Sequence, residues 1–163
     1  MSVLLQNDHL TVILQEDLAI VRSTRSEVPY ASPDDFIRVH TEALKIYESL
    51  DRPSLGHLVD IRQPPMNNDP AFEAATMRTR SMIVQEFACV AVLVRTAVGA
   101  LQVNRLLREE NNDNVLVFHD EEVALAHLRG ELRKLGRRSS TPPLVRPHIS
   151  HASQSSVRPA RLR

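Results

Sequence analysis

Val90-Ala91-Val92-Leu93-Val94-Arg95-Thr96-Ala97-Val98-Gly99-Ala100-Leu101-Gln102-Val103-Asn104-Arg105-Leu106-Leu107 changes its hydrophobic pattern within a few residues. The first five positions are continuously apolar and mostly β-branched, as in a strand covered on both faces. From Ala100 onward the apolar residues Ala100, Val103, Leu106 and Leu107 recur at helical spacing and form one stripe. A buried strand that feeds a helix places the chain in the α/β class.

On either side of this stretch the same alternation repeats. Before it, His57-Leu58-Val59-Asp60-Ile61-Arg62 reads as a strand, followed by the loop Gln63 to Asn68. Asp69 and Pro70 then supply a helix cap and a proline at the first helical position, and Phe72, Ala75, Thr79, Ile83 and Phe87 make an inner stripe. After it, Asn111-Asn112-Asp113 predicts a turn and Asn114 to Phe118 a last strand. Asp120-Glu121-Glu122 predicts a helix start whose inner face is Ala124, Leu128, Leu132 and Leu135.

Earlier still, Ser32-Pro33-Asp34-Asp35 begins a helix that continues to about Leu50, with Phe36, Val39, Ala43, Leu44, Tyr47 and Leu50 on its buried side. The first residues divide into short apolar segments at Val3 to Leu5, Leu10 to Leu14 and Leu18 to Ser23, which predict a meander of two or three strands. The expected order is a β-meander followed by helix, strand, helix, strand, helix, strand, helix. Such crossovers imply parallel strands with right-handed connections, a mixed sheet and about four helices. The α/β domain is expected over residues 1–135. Residues 136–163, rich in Ser, Pro and Arg, predict a disordered tail.

Charge follows the same division. All 20 acidic residues lie at or before Glu131, whereas eight basic residues follow Leu132, so residues 1–132 hold 12 basic against 20 acidic residues and a net charge of −8. An acidic body does not suit a nucleic-acid-binding domain, although the basic tail could make weak electrostatic contact with an anionic surface. The single cysteine, Cys89, gives no disulfide framework, and the first residues lack the pattern of a secretory signal. A reducing, cytoplasmic setting is the expectation. No apolar run approaches the roughly 18 residues of a spanning helix, so no integral membrane segment is expected.

Four glycines, Gly56, Gly99, Gly130 and Gly136, cannot write a glycine-rich phosphate loop or a dinucleotide fingerprint. The histidines are scattered without metal-ligand spacing, and Cys89 opens a buried strand. Neither cofactor, metal nor catalytic residue is therefore expected. Asp60 and Thr96 stand where phosphoacceptor domains carry an aspartate and a threonine, but the acidic pair and the lysine of such sites are missing. The loop from Arg62 to Asp69 lies at the carboxyl end of a central strand and leads into a helix, which is where ligands and partners meet open α/β sheets. Arg95 and Thr96, from the next strand-to-helix turn, are expected beside it, and Arg62 with Arg95 could receive an anion.

Over about residues 2–133 the chain resembles STAS-like domains, the fold of anti-sigma factor antagonists, including a bacterial branch described as STAS or SEC14-like. The resemblance rests on the element order, on the strand His57 to Arg62 with its polar loop and helix, and on the strand and helix from Val90 to Leu107. It implies a non-enzymatic regulatory or signalling module that binds a protein partner through Asp60, Arg62, Asn67, Asn68, Asp69, Arg95 and Thr96. Antagonists of this kind open the loop with aspartate, a hydrophobic residue and serine, and carry a phosphorylatable serine before the helix. Here Asp60 and Ile61 match, Arg62 replaces the first serine, and Met66-Asn67-Asn68-Asp69-Pro70 contains none. The alternative expectation is a small-molecule or lipid-binding domain of the SEC14-like kind, with an apolar pocket under the first crossover helix.

Overall fold

The computed structural model describes residues 1–64, 67, 69–110 and 114–139. Strands β1 (Ser2–Gln6), β2 (Leu10–Gln15) and β3 (Ile20–Arg25) form an antiparallel meander. Helix α1 (Pro33–Glu48), strand β4 (Gly56–Asp60), helix α2 (Pro70–Val84), strand β5 (Cys89–Leu93), helix α3 (Ala97–Glu110), strand β6 (Val115–Phe118) and helix α4 (Glu121–Ser139) follow. One six-stranded sheet has the order β1-β2-β3-β4-β5-β6, with β3 to β6 parallel. The fold is α/β with a mixed sheet and four helices, as the alternation of patterns predicts.

Strand order equals chain order, so every crossover steps one place in the same direction. Right-handed crossovers then put α1, α2 and α3 on one face and leave the other to α4. The two hydrophobic clusters follow this division. On the first face Val12, Val21, Val90 and Val92 pack with Val39, Ala43 and Tyr47 of α1, Ile83 and Val84 of α2, and Leu107 of α3. On the second, Ile20, Leu58, Ala91 and Leu93 pack with Ala124 and Leu128 of α4. β5 contributes alternate residues to both clusters, which is why its sequence is apolar throughout.

The helix starts obey local chemistry. Ser32 Oγ accepts a hydrogen bond from the Asp35 amide at 3.1 Å, Asp69 Oδ1 accepts from Ala71 and Phe72, and Asp120 Oδ1 accepts from Val123 at 2.9 Å. Several boundaries differ from the sequence expectation, most of the strand ends by a single residue. Glu16–Leu18 form a 3-10 turn closed by Ala19 at a left-handed φ of 54°, so β3 begins at Ile20 and not at Leu18. β4 ends at Asp60, before Ile61 and Arg62. Phe87 is buried, yet it lies beyond α2, because Glu86 at φ 73° turns the chain. α4 continues through Gly136 to Ser139, and Leu135, expected on its inner face, is exposed.

The reason for Leu135 is length. At 1.5 Å per residue a helix of 19 residues spans about 28 Å, whereas a five-residue strand spans roughly 17 Å, so the last turns of α4 overhang the sheet. Of the tail expected to be disordered, residues 136–139 belong to α4, whereas residues 140–163, like the turn Asn111 to Asp113, lie outside the described residues. Among the described residues no helix is long and apolar enough to cross a membrane.

Candidate functional site

Side chains alternate along β4, and its carboxyl end therefore serves two different places. Leu58 and Asp60 face α4, while His57 and Val59 face α1 and α2. The parallel register with β3 sets Arg22 on the side of Leu58 and Asp60, and Ser23 on the side of His57 and Val59.

On the α4 side four charges meet. Asp60 accepts from the Arg62 amide at 3.2 Å, from Arg62 Nε at 2.9 Å and Nη2 at 2.6 Å, and from Arg22 Nη2 at 3.1 Å. Glu121, the first residue of α4, accepts from Arg22 Nη1 at 2.5 Å and from Arg62 Nη2 at 2.7 Å. Each guanidinium bridges both carboxylates, and the cluster is neutral. Burial pushes the Asp60 carboxyl up, but the bonds from Arg62 and the charges of Arg62 and Arg22 outweigh it and leave the pKa below the ordinary value. The Arg22 hydrogen bond, acting against burial and joined by Arg62, likewise holds Glu121 low. The cluster fastens the amino end of α4 to the sheet.

The expected partner-binding residues thus fall into separate settings. Asp60 and Arg62 belong to the ion cluster. Asp69 caps α2, with Ala71 N at 2.7 Å, and Asn67 Oδ1 accepts from the Asp69 amide at 2.9 Å. Thr96 Oγ1 caps α3 through the Gly99 amide at 3.0 Å, and Arg95 is exposed beside it. Asn68 lies outside the described residues. Arg22 and Glu121 were absent from the expected set, since only the register of β3 and the position of α4 bring them to Asp60.

On the other face lies a cavity of about 390 Å³ between the sheet and α1, α2 and α3. Val59, Val92 and Val94 line its sheet side, Phe36 and Tyr47 come from α1, and Val103 and Leu106 from α3. Phe72, Thr76, Arg80 and Ile83 recur along α2 and line it, a stripe beside the inner stripe read from the sequence. Arg62, Asn67, Arg95 and Thr96 also border it, so four expected site residues share this space.

Polar groups within the cavity are few and organised. Ser23 Oγ lies 2.6 Å from Tyr47 Oη and 2.8 Å from His57 Nε2, all three buried. His57 packs on Phe87 with ring centroids 4.5 Å apart, and its Nδ1 has no hydrogen-bond partner among the described residues. Burial pushes the His57 pKa down to about 3, so the ring is neutral, and raises the Tyr47 pKa to about 12. At one end of the cavity Arg25 donates to the carbonyls of His9 and Val28, with its guanidinium carbon 4.1 Å from the Tyr30 ring centroid. Tyr30 in turn stacks on His9 and meets Phe36 edge-on.

Among the described residues no three His, Cys, Asp or Glu side chains gather as a metal site. Comparison with protein-family models, with curated proteins and with solved structures found no match to this chain.

Proposed function

We propose that this chain is a binding module that holds a small, mainly apolar molecule in the cavity between the sheet and helices α1 to α3. The observation that carries this reading is the cavity itself. Its volume of about 390 Å³ falls within the roughly 300–1,000 Å³ of small-molecule sites, and apolar walls around a few convergent polar groups are the usual form of such sites. Ser23, Tyr47 and His57 supply those groups, and they can orient a ligand hydroxyl or carbonyl. A binding role is favoured over catalysis because a neutral histidine with a pKa near 3 and an unpartnered Nδ1 is a poor base for Ser23. A cytoplasmic location is part of the proposal, supported by the buried free thiol of Cys89.

The test is titration of the intact chain with 1-decanol, followed by calorimetry and by chemical shifts of residues around the cavity. Saturable binding that perturbs His57, Val92 and Val103, and that is lost when Thr76→Phe fills the space, is expected. Perturbations confined to the exposed surface would overturn the reading.

A second reading, a protein partner docked on the rim, is favoured by the exposure of Asn67, Arg95 and Thr96 around one opening. It predicts a partner captured by the intact chain and lost with the combined Asn67→Ala and Arg95→Ala variant. The STAS-like relation is proposed on the element order and the two strand-and-helix patterns, and the cavity argument does not depend on it.

A further inference from the structure

The charges around the cavity are one-sided. Arg25, Arg62, Arg80 and Arg95 all line it, and among its described lining residues there is no aspartate or glutamate. We propose that the ligand is an organic anion, a monocarboxylate with an apolar body, whose carboxylate is held by Arg25; this rests on reading the cavity as a binding site.

Arg25 stands apart because its charge is buried and unanswered. The residue is 8% exposed, its two hydrogen bonds go to neutral carbonyls, and none of the ion pairs among the described residues includes it. Arg52, the other buried arginine among the described residues, is equally covered but pairs with Glu86 in addition to its carbonyl acceptors. Arg62 is likewise neutralised by Asp60 and Glu121. Removing a guanidinium from water without a counter-charge is costly, and a carboxylate offers two acceptors that match its paired N–H groups. Asp35, on α1, is engaged by Arg38 at 2.6 Å and by His9 at 3.5 Å.

Tyr30 adds a second donor in the same wall. Its hydroxyl is buried with no hydrogen-bond partner among the described residues, and its ring lies under the Arg25 guanidinium. A carboxylate there would accept from both groups while its apolar body lies along Phe36, Val59 and Val92. A neutral ligand would leave Arg25 unanswered, and a cation would meet its buried positive charge.

The experiment measures the affinities of the intact chain for decanoate, 1-decanol and decylamine by calorimetry, each below its micelle-forming concentration. Decanoate is expected to bind about tenfold or more tightly than 1-decanol, and decylamine most weakly. Arg25→Gln should reduce decanoate to the level of 1-decanol, whereas Arg25→Lys should keep part of the preference. Equal affinities for acid and alcohol would overturn the anion and leave the cavity as a binding site; failure of all three to bind would overturn both. A preference that survives Arg25→Gln and disappears with Arg95→Gln would move the carboxylate to the rim and overturn the role of Arg25. If Arg25→Gln does not fold, the ratio of acid to alcohol in the unaltered chain and the Arg95→Gln result still decide.

Discussion

Asp60 and Asp69 are both carboxylates near the ends of the loop after β4, and their surroundings give them different weights. The Asp60 side chain is only 6% exposed and answers two guanidinium groups. Its replacement by alanine leaves Arg22 and Arg62 with Glu121 alone, which should lower stability by about 2–3 kcal/mol. Arg62→Ala removes a side chain that is one-third exposed and should cost about 1 kcal/mol or less, because water already screens it. Asp69→Ala deletes a helix cap and should cost about 1 kcal/mol. Urea unfolding of the three variants checks the order Asp60, Asp69, Arg62; a larger loss at Arg62 than at Asp60 would show that the cluster is centred elsewhere.

Helix α4 carries a face of the sheet alone, whereas α1, α2 and α3 share the other. Leu128 is fully buried against β4 and β5, and no second helix can close over a gap left there. Leu128→Ala should therefore cost about 3–4 kcal/mol, near the upper part of the range for buried leucine truncations. Val123, on the same helix but exposed, should tolerate alanine within about 0.5 kcal/mol. Gly56 lies under α4, where an added Cβ would meet Leu128, Leu132 and Cys89 at 3.5–3.6 Å, ordinary contact distances. Gly56→Ala should fold and should raise the unfolding midpoint slightly, because it restricts the unfolded chain and fills space against α4. A drop in the midpoint would mean that β4 needs the backbone freedom of glycine.

Acid acts on the whole molecule through both faces. His57 is buried and His40 half-buried, and both are neutral, with pKa values pushed down to about 3 and about 4 against an ordinary value of 6.5. The unfolded chain therefore binds more protons than the folded one as pH falls below about 6.5, and stability declines from there. Each histidine contributes a loss of a few kcal/mol by the time its folded pKa is reached. The depressed carboxyls of Asp60 and Glu121 add a further loss, beginning near the ordinary carboxylate range and completed as pH falls through their lower folded values. Urea midpoints should thus fall steadily between pH 7 and pH 4. A flat profile from pH 7 to pH 5 would show that water reaches both imidazoles in the folded state.

Element order and helix starts were legible because the forces behind them act within about four residues. Ser32, Asp69 and Asp120 cap the helices they precede, and the apolar run from Val90 to Val94 is a strand buried on both sides. The loop from Arg62 to Asp69 and the turn at Arg95 and Thr96 are also assigned from sequence to the carboxyl ends of parallel strands, where connections leave openings. Their chemistry was not legible. Arg22 and Glu121 are 99 residues apart in the chain, and Arg25 meets the Val59 and Val92 wall only across strands and helices. Such distant meetings depend on strand register and on which face each helix covers, and one-residue alternation in β4 sends Asp60 to an ion cluster and His57 to a cavity. Local periodicity fixes the elements, but the space enclosed between packed elements has no local signature, because it is set by how three helices rest together on one sheet.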